Sequence, residues 1–266
     1  MKHPGRNGVV PRMGFPSGEH AIVTGGGRGI GRAVAAALSR AGARVTVLGR
    51  GAAALHDAVD SGDAEAHEIA DVTDADALAL ALHRATARLG PPAILVNNAG
   101  AAESAPFARH DRALWDRMIA LNLTAVFEAC RAVLPGMAAR GSGRVVNVAS
   151  TAGLRGYPYV AAYVAAKHGV VGLTRALAAE FATSGVTVNA VCPGFTDTDL
   201  VSGAARTVAA KTGRDPADIV AGYAKANPQG RLVRPAEVAA AVLFLCGPDA
   251  GAMTGQALSV SGGEVT

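Results

Sequence analysis

The chain has 266 residues, half of them hydrophobic and only 4% aromatic, with a formal charge of +4. That length and composition suit one continuous α/β core and exclude a disordered chain. Lys2, Arg6 and Arg12 against Glu19 place half of the net charge in the first 19 residues, and no basic stripe with interleaved aromatics follows, which excludes a nucleic-acid footprint.

Residues 1–19, rich in Gly, Pro and basic side chains, lack the apolar core of a signal peptide and read as a flexible leader, with Met13 as an alternative start. Residues 20–266 read as a single domain. Ala21-Ile22-Val23 forms a strand, glycines make a turn, and residues 30–42 carry apolar side chains at helical spacing. A strand over 45–48, a helix over 52–59, a strand over 66–69 and a helix over 74–89 follow. The strand at 94–96 is cut off by Asn97-Asn98-Ala99-Gly100. A long helix spans 111–140, then come a strand at 145–148, a helix over 163–183 and a strand at 187–191. Residues 195–234 have mixed helical and polar character, before a helix over 235–245 and a last strand at 257–260. No run is expected to be apolar and long enough to cross a bilayer. Strands alternating with helices predict right-handed crossovers and a single-domain, Rossmann-type, doubly wound parallel sheet with helices on both faces. Ligands then belong at the carboxyl ends of the strands.

Cys130, Cys192 and Cys246 lie far apart without metal-ligand or redox spacing, so they read as small buried side chains, as in a reducing cytoplasm. The histidines are scattered and predict no metal site.

The turn Thr24-Gly25-Gly26-Gly27-Arg28-Gly29-Ile30-Gly31 lies between a buried strand and an amphipathic helix. There, backbone amides and the positive helix end can hold a pyrophosphate. At the end of the second strand, where an acidic residue would bind the ribose hydroxyls of NAD, the chain has Gly49-Arg50. Arg28 and Arg50 therefore favour the 2′-phosphate of NADP(H), with NAD(H) the alternative if both are solvated loop residues. Asp71-Val72 stands where it would receive an adenine, or else Asp71 caps a helix.

Tyr163 precedes Lys167 by four residues on a helix, so both lie on one face, with Ser150 upstream. A neighbouring ammonium favours phenolate and would make Tyr163 a usable acid or base.

Taken together, the Thr24 to Gly31 turn, Asn97-Asn98-Ala99-Gly100, Asn122, Ser150, Tyr163-Val164-Ala165-Ala166-Lys167 and Pro193-Gly194 resemble a short-chain dehydrogenase/reductase over about residues 20 to 263. The resemblance implies that Tyr163 passes a proton to or from the substrate oxygen while hydride moves at the nicotinamide. Ser150 would hydrogen-bond that oxygen, Lys167 would hold the nicotinamide ribose and lower the Tyr163 pKa, and Asn122 would support a water linking Lys167 to solvent. It further implies that Gly100 backs the nicotinamide, that Asn98 and Ala99 line the adenosine side, and that Pro193, Gly194, Thr196 and Thr198 wrap the carboxamide and pyrophosphate. The more usual role of Asn98 in the family is to tie strands together. Relatives are commonly homotetramers packed through the long helices.

Specificity is expected in the loop 151–159 and in a lid near 195–231. The chain is similar in pattern to 3-oxoacyl thioester reductases, polyketide ketoreductases and 3-hydroxyacyl-CoA dehydrogenases. Hydroxybutyrate enzymes hold a carboxylate with a His two residues after the catalytic Ser and a Lys three before the Tyr; this chain has Ala152 and Val160. The expected substrate is a 3-oxoacyl thioester, on acyl carrier protein or CoA, or a related ketone, reduced with NADPH. NAD-dependent oxidation of a 3-hydroxyacyl-CoA or secondary alcohol is the runner-up, and a non-catalytic nucleotide-binding redox sensor is the reading from another class. Arg155, Arg206, Lys211, Arg214 and Arg231 would either meet a phosphopantetheine-bearing partner or be solvated.

Overall fold

A computed structural model describes residues 18–266. Seven strands, β1 (His20–Thr24), β2 (Arg44–Gly49), β3 (Ala66–Ile69), β4 (Ile94–Asn97), β5 (Gly143–Val148), β6 (Val186–Pro193) and β7 (Ala257–Val260), form one sheet in the order β3-β2-β1-β4-β5-β6-β7. All neighbours are parallel, as the alternation of strands and helices predicts. The chain runs outward one way from β1 to β3 and the other way from β4 to β7, so a crevice opens where β1 and β4 diverge.

The two-residue period of a strand divides the core. Ala21 and Val23 of β1 face one layer, built on α1 (Gly29–Arg40), α2 (Ala52–Asp60) and α9 (Pro235–Cys246), while Ile22 faces the other, built on α3 (Ala75–Leu89), α5 (Ala125–Ala139) and α6 (Ala161–Glu180). Beneath the site, Asn97 Nδ2 donates to Asn147 Oδ1 at 2.9 Å and Asn147 Nδ2 to Thr174 Oγ1 at 2.9 Å, a buried polar chain from β4 through β5 to α6. Sequence reading did not anticipate it.

The structure refines four expectations. The helix predicted over 111–140 is α4 (Arg112–Ile119), a π turn (Ala120–Thr124) and α5 in succession. This helical stretch of 28 residues, with a mean hydropathy of 1.4 over its most apolar window, is long and apolar enough to cross a membrane by length and composition, contrary to expectation; in the fold its apolar face packs on α3 and α6. Of the predicted leader, Gly18 and Glu19 are tied to the sheet, Gly18 N donating to Gly42 O and Arg44 N to Glu19 O, each at 2.9 Å; the rest of it, with Met13, lies outside the described residues. The mixed segment after β6 is two helices, α7 (Asp199–Thr212) and α8 (Pro216–Ala226), separated by Gly213 at φ 71°.

Candidate active site

At the carboxyl end of β1 the chain turns sharply, with Gly25 at φ 66° and Gly29 at φ 55°, in the left-handed region that glycine tolerates. A Cβ on Gly31 would lie 2.3 Å from the Gly25 carbonyl oxygen, so the first turn of α1 rests directly on the loop. The start of α1 has no side-chain cap and no acidic residue in its first turn. Its free amides, together with the positive helix end, form a cradle for an anionic group. Arg28 is the exposed residue at the N-cap, and Ile30 packs on the core below it.

This turn is fixed to β4. The Thr24 hydroxyl accepts from Asn98 N at 3.0 Å and Ala99 N at 3.1 Å, and Asn98 Nδ2 donates to Thr24 O at 2.9 Å. Asn98 therefore ties strand ends together. Thr198, at the head of α7, brings its methyl to 3.3 Å from where a Cβ on Gly29 would be, so the segment leaving β6 crosses the glycine turn. Within that segment the Thr196 hydroxyl donates to Gly194 O at 2.9 Å, while Gly194 N, just after Pro193, donates to Val260 O of β7 at 3.1 Å.

Arg50, at the carboxyl end of β2, reaches Asp71 at 3.4 Å while its side chain stays 73% exposed. Asp71 does not cap α3; Asp74 does, accepting from Asp76 N and Ala77 N. Asp71 instead accepts from the amide and hydroxyl of Thr73, and these bonds, with Arg50 nearby, hold its carboxyl below the ordinary aspartate value. Val72 is buried beside Ala99 around a small cavity.

Ser150 leaves β5 in extended conformation, and its hydroxyl oxygen accepts from Ala152 N at 3.1 Å. The hydroxyl hydrogen is thereby left to donate outward. Tyr163 lies in the first turn of α6. Burial pushes its phenol above the ordinary tyrosine value, while the Ser150 hydroxyl acts in the opposite direction. Lys167 is 4% exposed; its Nζ lies 5.6 Å from the centre of the Tyr163 ring and donates to Val148 O at 2.9 Å. Burial lowers its pKa to about 8. Burial is the largest influence on the Tyr163 phenol, and the Lys167 ammonium beside it is held by a backbone carbonyl.

Asn122 is fully buried within the π turn. Its Nδ2 donates to Ala101 O at 2.9 Å and Met118 O at 3.0 Å, and its Oδ1 accepts from Ala101 N at 3.3 Å. The widened turn carries a side chain across to the loop after β4. A Cβ on Gly100 would stand 2.9 Å from Asn122 Oδ1 and 3.6 Å from Lys167 Nζ, so these three residues meet at one point.

Sequence reading missed a second group on the same side. The Tyr157 hydroxyl is hydrogen-bonded to Thr151 Oγ1 at 2.8 Å and to Glu264 Oε1 at 2.5 Å. Its ring meets Phe195 edge-on at 6.3 Å, and Phe195 stacks on Tyr223 of α8 at 4.5 Å. The Arg155 guanidinium lies over the Tyr157 ring at 5.0 Å. Arg231, expected either to meet a partner or to be solvated, is paired with Glu237 at 2.8 Å.

Residues 19–209 match the family model of the short chain dehydrogenases. The chain belongs to that family. This short-chain dehydrogenase is 39% identical over 260 residues to a protein of Streptomyces coelicolor described as a putative ketoacyl reductase, covering 94% of this chain and 98% of that one. It is 42% identical over 247 residues to cis-4-hydroxycyclohexanecarboxylate dehydrogenase of Sinomonas cyclohexanicum, covering 91% and 95%. A solved structure of an actinorhodin polyketide ketoreductase variant with NADPH superposes with a TM-score of 0.89 at 39% identity, covering 92% of this chain and 97% of that one. Like its relatives, this short-chain dehydrogenase is an oxidoreductase of CH–OH groups.

Proposed function

We propose that this enzyme reduces the ketone of a 3-oxoacyl thioester or a related ketone with NADPH. The observation that carries the chemistry is the half-buried Tyr163 phenol next to the Ser150 hydroxyl, with Lys167 one helical turn on, placed to give a proton to a substrate oxygen. The direction of reduction is supported by the ketoacyl reductase relative. As the carbonyl oxygen gains negative charge, the Ser150 hydroxyl donates to it, its own lone pair being occupied by Ala152 N. Tyr163 Oη then transfers its proton to that oxygen. Lys167, charged below about pH 8, supplies positive potential beside the phenol and a donor toward a ribose hydroxyl. A bound nicotinamide coenzyme supplies the hydride.

The glycine cradle, the uncapped start of α1 and the crossing of Thr198 over Gly29 suit a dinucleotide pyrophosphate. Arg28 and Arg50 would meet the 2′-phosphate, Asp71 and Val72 the adenine, and Gly100, Pro193, Gly194 and Thr196 the nicotinamide side. The segment 195–231 would act as a lid, and the protein would work as a cytoplasmic homotetramer. Support for the thioester comes from the ketoacyl reductase relative and from Ala152 and Val160, which offer no anchor to a free carboxylate.

Initial rates on acetoacetyl-CoA with NADPH and with NADH test the reading. Faster turnover with NADPH is expected, abolished by Tyr163→Phe; turnover surviving that substitution overturns the proton-transfer role, and faster turnover with NADH overturns the coenzyme assignment.

A further inference from the structure

The C-terminal tail is folded back onto the substrate side of the sheet. After β7, Gly262 at φ 63° and Gly263 at φ 93° curve the chain, and a Cβ on Gly262 would collide with the Asn227 side chain that follows α8. The curve delivers Glu264 between two loops. Oε1 receives the Tyr157 hydroxyl, which is also bonded to Thr151, the neighbour of Ser150. Oε2 lies 2.8 Å from where a Cβ on Gly194 would be, over the turn after β6. It is buried and has no hydrogen-bond partner among the described residues. A buried acceptor without a donor is costly to the fold, and a ligand that brings a donor removes that cost.

We propose that Glu264 is a specificity-determining residue. Its Oε2 accepts from an amide N–H or hydroxyl that the substrate carries beyond the reacting carbonyl, and its charge excludes a substrate bearing a carboxylate there. The inference rests on the reading of Ser150 and Tyr163 as the groups that meet the carbonyl. It supplies what that reading lacks, a residue that selects the rest of the substrate. A pantetheine arm carries amide N–H groups of this kind.

Three acetoacetyl thioesters test it: one of N-acetylcysteamine, its N-methyl analogue without the donor, and one of 3-mercaptopropionate with a carboxylate. Wild type is expected to favour the N–H compound over the N-methyl compound by about tenfold in kcat/KM, expressed in KM, and to use the carboxylate compound least. Glu264→Ala brings the first ratio close to one. Glu264→Gln keeps an acceptor for Tyr157 and improves the carboxylate compound about tenfold relative to the others. Ratios unchanged in both variants, or an equal loss of kcat on all three compounds, overturn the inference. If wild type reduces none of them, the thioester reading has failed. The selection is then read on 4-(hydroxymethyl)cyclohexanone against 4-oxocyclohexanecarboxylate, where a ratio equal in wild type and both variants overturns it.

Discussion

Lys167 is held by Val148: its Nζ donates to that carbonyl at 2.9 Å, at the end of β5 and one helical turn after Tyr163. The bond keeps the cation inside the site while burial lowers its pKa to about 8. The charge is present below that pH and lost above it. We therefore expect kcat/KM for ketone reduction to fall as pH rises through about 8, since this ratio reports groups of the free enzyme. A pH–rate profile without a limb within about one unit of that value contradicts the assignment.

The exposed Arg50 guanidinium is shared with Asp71 at 3.4 Å, a weak pairing that a phosphate can displace. Arg50→Asp should raise the KM for NADPH by about 10- to 100-fold and that for NADH by less than about threefold. Coenzyme titrations by initial rate or fluorescence check both values.

Gly31→Ala places a methyl 2.3 Å from the Gly25 oxygen and 2.4 Å from Asn98 Nδ2, where backbone must move. The expected result is a loss of about 2 kcal/mol or more in urea unfolding and loss of coenzyme binding. Gly51→Ala, with open space around its Cβ, serves as the control and should unfold like wild type.

His20, 3% exposed, lies with Nδ1 2.6 Å from Gly90 O and Nε2 2.9 Å from Thr46 Oγ1. The carbonyl can only accept, so Nδ1 carries the proton and Nε2 receives the Thr46 hydroxyl. Burial pushes the imidazole below its ordinary pKa of 6.5. The unfolded chain then binds the proton first, so stability is full above about pH 6.5 and falls as pH drops toward the lower value in the fold. Urea midpoints measured across this range should decline, and His20→Gln should flatten part of the decline. His67, also lowered by burial, contributes in the same direction.

Where neighbouring residues determine structure, the chain was readable. The predicted bounds of β3 and β7 coincide with the observed ones, because turn residues punctuate short apolar runs, and Tyr163 and Lys167 share a face because helical spacing requires it. Features decided by distant partners were not legible. The π turn at Asn122 keeps the apolar period of a plain helix, and the pairing of Arg231 with Glu237 depends on how the chain re-enters α9. Glu264 lies 107 residues from Tyr157, and no local pattern announces that a tail carboxylate will meet that phenol. Burial of the Tyr163 phenol is hidden for a related reason: helical spacing reveals the neighbouring ammonium but not the desolvation that the packed site imposes.

The bonds from Thr24 and Asn98 shape the glycine turn with groups that belong to the folded sheet. Its amides are thus aligned before any dinucleotide arrives, and little chain entropy remains to be lost on docking. Variation in coenzyme affinity among substitutions at the rim should consequently appear in dissociation rates, with association governed by how positive charge steers the approaching phosphates.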